Sequence, residues 1–457
     1  MLSVVNPASG SVVAELVEDT PENVASAYAR AHAAQKAWAR IALAERMARI
    51  VRFRALVAAA KDDLARTLTS ETGKPIAQAR NELGGFDARI EFFLENVETA
   101  IADQVVHSEK SGKVEERIAH SPLGVIANIS AWNYPWFVGG NVFIPALLTG
   151  NSVLYKPSEF SPMTGLAIAR LLREARVPDD VFIPLIGGAV VGAALLAQPI
   201  DGVFFTGSYA TGKRVAETVA PRMIKYQLEL GGKDPVYVCE DVDIAATAAA
   251  TADGAFYNAG QSCCAIERLY VQRDIIPRFI EEFAQVVAAF RIGDPLDEST
   301  YIGPITRPAQ IAVFERQIAD AVAKGAKVLC GGKRLARSGS YFAPTVLVDV
   351  DHTMEVMRDE TFGPVIGIMA VADDAEAVRL MNDTEYGLTA GVYTRDRARA
   401  EAILADVDSG TAYWNCCDRV SPRLPWTGRG WSGIGSTLSV AGITAFTQPK
   451  AWHLVRG

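Results

Sequence analysis

Cys263 stands in Asn258-Ala-Gly-Gln-Ser-Cys263-Cys264, a run of small residues that follows an apparent helix. A cysteine nucleophile needs room for its substrate and surroundings that favour the thiolate, and Gly260 supplies room. A thiol buried as a small hydrophobe is the bland alternative. Glu229, in Leu228-Glu-Leu-Gly-Gly-Lys233, is a carboxylate between apolar neighbours. Desolvation would raise its pKa and suit it to general base work, whereas an ion-paired or surface glutamate would have no such role. Thr206-Gly-Ser-Tyr-Ala-Thr-Gly212 follows a strand and opens a helix, where backbone amides and the helix dipole can hold a phosphate. It is not a GxGxxG run, and an ordinary turn with Ser208 as N-cap has the same appearance. Lys156-Pro-Ser-Glu159 sits after another strand, placing a donor and a carboxylate where a doubly wound fold grips a ribose.

Groups of this kind must be positioned by a sizeable scaffold. The chain has 457 residues, 49% apolar and 21% charged, with 37 Gly and 22 Pro, the composition of a globular protein of two or three domains. Lys and Arg total 45 against 53 Asp and Glu, a net charge of -8, so no general basic field exists to hold nucleic acid. Six Cys, two pairs of them adjacent, cannot form a disulfide framework, and five scattered His offer no zinc ligand set. No metal is expected. A cysteine hydrolase would need a His beside the thiol, and none lies near the motif. The uncharged stretches 118–155 and 181–200 are broken by Pro, Gly and Asn, reading as buried strands and turns rather than spanning helices. The amino terminus has no signal-peptide pattern, and the expectation is a cytoplasmic protein that neither enters a membrane nor binds nucleic acid.

From Thr20 to about Ser70 apolar residues recur at helical spacing. Beyond residue 122 short apolar runs, such as Gly124–Ile129, Ser152–Tyr155, Val181–Ile186 and Gly202–Phe205, alternate with helical patterns. That alternation predicts an α/β fold with a parallel sheet. A second set begins at Pro235–Val238, with helices near 245–257 and 275–290 and strands near Leu269 and Val365–Ile368. Gly231-Gly232 would let the chain turn between the two sets.

The motifs occur together and in order: Ala131-Trp-Asn-Tyr-Pro135, Lys156-Pro-Ser-Glu159, Phe205-Thr-Gly-Ser208 with Gly212, Leu228–Lys233, Phe256–Cys263, Asp359-Glu-Thr-Phe-Gly-Pro364 and Asn382–Leu388. In this the chain resembles the aldehyde dehydrogenase superfamily along nearly its whole length. The resemblance implies a Rossmann-like cofactor domain (1–103 and 122–231), an α/β catalytic domain (232–436) and an oligomerisation arm (104–121 and 437–457). It also implies NAD as cofactor, with NADP possible, a small-molecule aldehyde as substrate and a homodimer or homotetramer.

By the same resemblance Cys263 is the nucleophile, Asn133 with the Cys263 backbone N–H holds the oxyanion, and Glu229 activates the hydrolytic water, a base that favours hydrolysis over acyl transfer. Trp132, Lys156, Glu159, Phe205, Gly207, Ser208, Gly212, Leu230, Glu360 and Phe362 are the implied cofactor-binding residues. Tyr134, Trp136, Cys264, Arg419 and Trp426 are the implied substrate-side residues. The loop around Arg419 and Arg423 departs from the family pattern, having Pro425-Trp-Thr-Gly428 and Ser432-Gly-Ile-Gly435. If either arginine points inward, an aldehyde with a distal carboxylate is expected; otherwise Tyr134, Trp136 and Trp426 line an apolar tunnel. Asn6-Pro-Ala-Ser-Gly10 is similar to the family's early turn, so the extension that precedes it in many members is expected to be missing. The apolar tail, Ile443–Phe446 and Ala451–Val455, is expected to be a strand added to a neighbour's sheet.

Overall fold

The computed structural model describes residues 1–110 and 112–456; Ser111 and Gly457, both in segments expected to form the arm, lie outside the described residues. The opening is helical, as the periodicity requires. Helices Pro21–Arg40, Leu43–Ala59, Lys61–Thr72 and Ile76–Ala100 follow one another, the first capped by the Thr20 hydroxyl, which accepts from Asn23 N at 3.3 Å. The long fourth helix buries Ile76, Leu83, Phe86, Ile90 and Phe93 and packs against helix Pro135–Leu148.

Among the described residues the strands form two main sheets. The first runs, edge to edge, Gly433–Ile434, Lys225–Glu229, Gly202–Thr206, Val125–Ile129, Ser152–Lys156, Phe182–Pro184. It is parallel apart from Gly433–Ile434. Strand order reverses beside Val125–Ile129, which has the next strand in sequence on one side and Gly202–Thr206 on the other. A crevice opens beyond the carboxyl ends of strands at such a switch point. Asn133 and the Gly207-Ser208 turn follow those two strand ends.

The second sheet runs Lys327–Cys330, Thr345–Val348, Val365–Val371, Ile266–Gln272, Asp234–Val238, Thr389–Tyr393, Thr411–Trp414, parallel except for its first strand. The chain crosses from one sheet to the other between Glu229 and Asp234, over Gly231-Gly232. Each sheet is covered by helices and has its own apolar core, one around Val236, Tyr270 and Phe314, others around Phe86, Trp136 and Val203.

A third, antiparallel sheet joins Thr447–Val455, Val114–Pro122 and Gln104–Ser108. Here the tail departs from expectation in its first part. Residues 439–444 are helical, and Ile443 and Phe446 bury completely in the core around Phe86 and Trp136; Phe446 stacks on Phe204 with centroids 4.2 Å apart. The strand that follows pairs with Val114–Pro122 of its own chain, Ala451 opposite Ile118, and stands at the edge of this sheet. No helix among the described residues is long and apolar enough to cross a membrane.

Candidate active site

Helix Ile244–Phe256, capped by Asp243, ends in a tight reversal. Asn258, Ala259 and Gly260 all have left-handed backbone, with φ of 53°, 54° and 70°. A Cβ at Gly260 would run into the carbonyl of Gly363. The two non-glycine residues, Asn258 and Ala259, cost backbone energy there that the surroundings must offset, a pattern found at functional sites. Side chains hold the reversal. Asn258 Nδ2 donates to Gln261 O at 3.2 Å and to Asn133 O at 3.4 Å, Gln261 Nε2 donates to Asn258 O at 3.0 Å, and Gln261 Oε1 accepts from Thr306 N at 2.9 Å. Asn133 Nδ2 donates to Gln261 O at 3.2 Å, so the amide expected to hold an oxyanion lies against the turn that presents Cys263.

Cys263 opens on a cavity of about 400 Å³, walled by Tyr134, Phe137, Tyr257, Trp426, Glu229 and Arg89 among others. Glu229, the last residue of its strand, is 4% exposed. Its Oε1 accepts a 2.8 Å bond from Trp426 Nε1, while Oε2 has no partner among the described residues. Burial lifts its pKa to about 7 against the opposing effects of the Trp426 bond and the nearby Cys263 thiol. The Cys263 thiol is held well above its ordinary pKa by the neighbouring Cys264 thiol, by burial and by the charge of Glu229. The thiol therefore rests protonated beside a carboxylate poised to take a proton near neutral pH.

The crevice beyond the first sheet suits a dinucleotide. Lys156, at the end of its strand, is 5% exposed, and its ammonium donates to Pro157 O at 3.1 Å with Glu159 Oε2 3.7 Å away. A buried ammonium with donors to spare beside a half-exposed carboxylate fits ribose hydroxyls. Burial lowers the Lys156 pKa while Glu159 opposes the shift. Ser208 is an exposed N-cap of helix Tyr209–Val219 whose hydroxyl caps no backbone amide, leaving first-turn N–H groups for a phosphate. Phe205 and Leu230 are core residues at 5% and 4% exposure. A Cβ at Gly207 would strike Phe205 and one at Gly212 would strike Leu230, so both pack against the glycines of the turn and helix that border the crevice. On the far side Trp132 meets Phe362 edge-on at 5.6 Å, and Glu360 Oε1 accepts from Gly232 N at 3.2 Å. Burial and the charge of Glu267 raise Glu360 to about 8. Lys233 and Glu267, both buried, pair at 2.6 Å, and Glu267 accepts from Thr361 N and Phe362 N at 2.8 and 2.9 Å. This pair, not singled out in the sequence, fixes the loop that carries Glu360 and Phe362.

On the substrate side Tyr134, Cys264, Trp426 and Arg419 line the cavity. Trp136 does not: it is fully buried against Phe86, because helix Pro135–Leu148 turns this side toward the neighbouring helix. Arg423 is exposed away from the cavity wall, and Arg419 is an exposed rim residue whose Nη1 donates to Asp418 O at 3.3 Å. The sequence reading also missed Asp418, which accepts from Ser262 Oγ at 3.2 Å and Cys264 Sγ at 3.1 Å, and one face of the fourth helix. That face, Gln78, Glu82, Gly85 and Arg89, walls the cavity; its helical spacing of polar residues was the available signal.

A dehydrogenase with a cysteine, a carboxylate and an amide converging beside a dinucleotide crevice is the class this fold and site define. The model of the Aldehyde dehydrogenase family matches residues 1–452, and the chain belongs to that family: it is an NAD(P)-dependent oxidoreductase acting on aldehydes. A Mycolicibacterium smegmatis protein named, provisionally, succinate-semialdehyde dehydrogenase (NADP(+)) is 38% identical over 94% of this chain and 84% of its own. Betaine aldehyde dehydrogenase of Cereibacter sphaeroides is 35% identical over 100% of this chain and 94% of its own. The solved structure of a Sinorhizobium meliloti NAD-dependent aldehyde dehydrogenase superposes with a TM-score of 0.96 at 33% identity, covering 99% of this chain and 91% of the other.

Proposed function

We propose that Cys263 is the nucleophile of this dehydrogenase, Asn133 its oxyanion donor and Glu229 its base. The reading is carried by Cys263 and Glu229 walling a single cavity while Asn133 donates to Gln261 O of the turn that presents Cys263. Glu229, whose Oε2 is free, accepts the Cys263 proton as the sulfur adds to the aldehyde carbon; the carbonyl oxygen takes up negative charge, and the Asn133 amide and the Cys263 backbone N–H stabilise it. When bound, the dinucleotide supplies the hydride acceptor; Lys156, Glu159, Gly207, Ser208, Glu360 and Phe362 would hold it. After oxidation the acyl group remains on Cys263 as a thioester. Once the proton taken from Cys263 has passed to solvent, Glu229 takes a proton from water, the resulting hydroxide attacks the thioester carbon, and the carboxylic acid leaves as the sulfur recovers that proton from Glu229.

Glu159 beside the ribose site favours NAD over NADP, since it would face the extra phosphate with like charge. In this reading the protein works in the cytoplasm as a homodimer or homotetramer, with the three-stranded sheet as the assembly arm. NADH absorbance with an aldehyde panel, using purified protein and either cofactor, tests the activity. Turnover that survives in Cys263→Ser would remove the nucleophile from the mechanism.

A further inference from the structure

Arg89 is 4% exposed yet belongs to the wall of the Cys263 cavity. Its Nη1 donates to Gly85 O of its own helix at 3.1 Å, its guanidinium lies 3.6 Å over the Phe137 ring, and its Nε has no partner among the described residues. A guanidinium carries five donors in a rigid fork. Burying one with its Nε donor unsatisfied is costly unless something else completes the site.

The neighbouring carboxylates are already engaged. Glu82 receives the Lys74 ammonium on one oxygen and Trp136 N, at 2.9 Å, on the other. Asp253 accepts from Tyr301 OH at 2.5 Å, and Asp418 from Ser262 and Cys264. Burial lowers the Arg89 pKa to about 10 against the pull of Glu82, which leaves it charged at neutral pH. The ring of Phe137 braces the flat face of the fork and leaves its edge to a planar anion.

We infer that Arg89 is the anion anchor of the substrate cavity and that the preferred aldehydes carry a carboxylate at the end remote from the carbonyl. The inference rests on the reading of this cavity as the aldehyde site. It moves the anchoring role from Arg419 on the rim to a buried arginine on the fourth helix. A single guanidinium matches the single charge and planar geometry of a carboxylate better than a phosphate dianion.

The test is the ratio of kcat/KM for succinic semialdehyde to that for butanal, in the parent protein and in Arg89→Met and Arg89→Lys. The parent should prefer the charged aldehyde. Arg89→Met should lower the ratio at least tenfold, through KM of the charged substrate, and Arg89→Lys should restore part of it. A parent without the preference, a ratio unchanged in Arg89→Met, including an equal loss on both aldehydes, or a stronger preference for a phosphorylated aldehyde would overturn the inference. Calorimetry on Cys263→Ser protein gives a readout apart from turnover: succinate should bind and 1,4-butanediol should not, and succinate binding should be lost when Arg89→Met is added. Activity retained in Cys263→Ser would count against the nucleophile, whereas absent succinate binding would count against Arg89, so the two readings fail separately.

Discussion

Trp426 Nε1 and Glu229 Oε1 are joined by a 2.8 Å hydrogen bond across 197 residues of chain. The indole stabilises the charged form of a carboxylate that burial pushes the other way, and the balance rests at about 7. Trp426→Phe removes the donor and keeps the ring. The carboxylate loses its stabiliser, so the Glu229 pKa rises and the base form is reached only at higher pH. A bond to a charged group is worth about 1.5–3 kcal/mol, or roughly 1 to 2 pH units. The acid limb of the kcat profile should shift upward by about that much. A limb that stays in place would show that Glu229 does not set it.

Cys263→Ser should lower turnover by about a thousandfold or more while the dinucleotide still binds, since an alcohol has no comparable fraction of reactive anion. Cys264, whose thiol donates to Asp418, should tolerate serine with only a few-fold loss. Steady-state rates and cofactor titration of the two variants make the comparison, and a reversed order would mean that the nucleophile is misassigned.

Glu229→Gln should slow release of the acid more than formation of the thioester. Rapid mixing should then show a burst of about one NADH per site before a slow steady state. An unslowed steady state would exclude Glu229 as the base for water.

Glu267→Gln weakens the buried pair with Lys233 that holds Thr361 and Phe362. Breaking a buried pair costs about 3–5 kcal/mol when one charge is left uncompensated, so the denaturant midpoint should fall. The loop bearing Glu360 and Phe362 should also loosen, raising the KM for the dinucleotide about five- to tenfold with a smaller change in the KM for aldehyde. Equal rises in both would point to general damage rather than to a cofactor loop.

Glu159→Gln removes the carboxylate beside Lys156. The ratio of kcat/KM for NADP to that for NAD should rise about tenfold, because like-charge repulsion of the extra phosphate is lost while the ammonium remains. A ratio that does not move would take Glu159 out of cofactor selection.

What could be read from the sequence alone is what contiguous residues encode. The alternation of apolar runs and helical patterns places strands at Gly202–Thr206 and Asp234–Val238 and the helix at Ile244–Phe256, because periodicity and turn residues act over a few positions. Cys263, Glu229 and the Lys156 and Ser208 turns were legible for the same reason: each lies in a strand end or tight turn whose own residues shape it. The tertiary structure alone decided which side chains lose water and what they meet. Trp136 and Arg89 look equally available in sequence, yet one packs into the core and the other lines the cavity. Arg419 sits in the loop with the more suggestive sequence and is left on the rim. The tail illustrates the same division, since its apolar residues were evident but their partners, Phe204 and strand Val114–Pro122, are distant in the chain. Burial and pairing across such separations are set by how helices and sheets pack, and no local pattern carries that information.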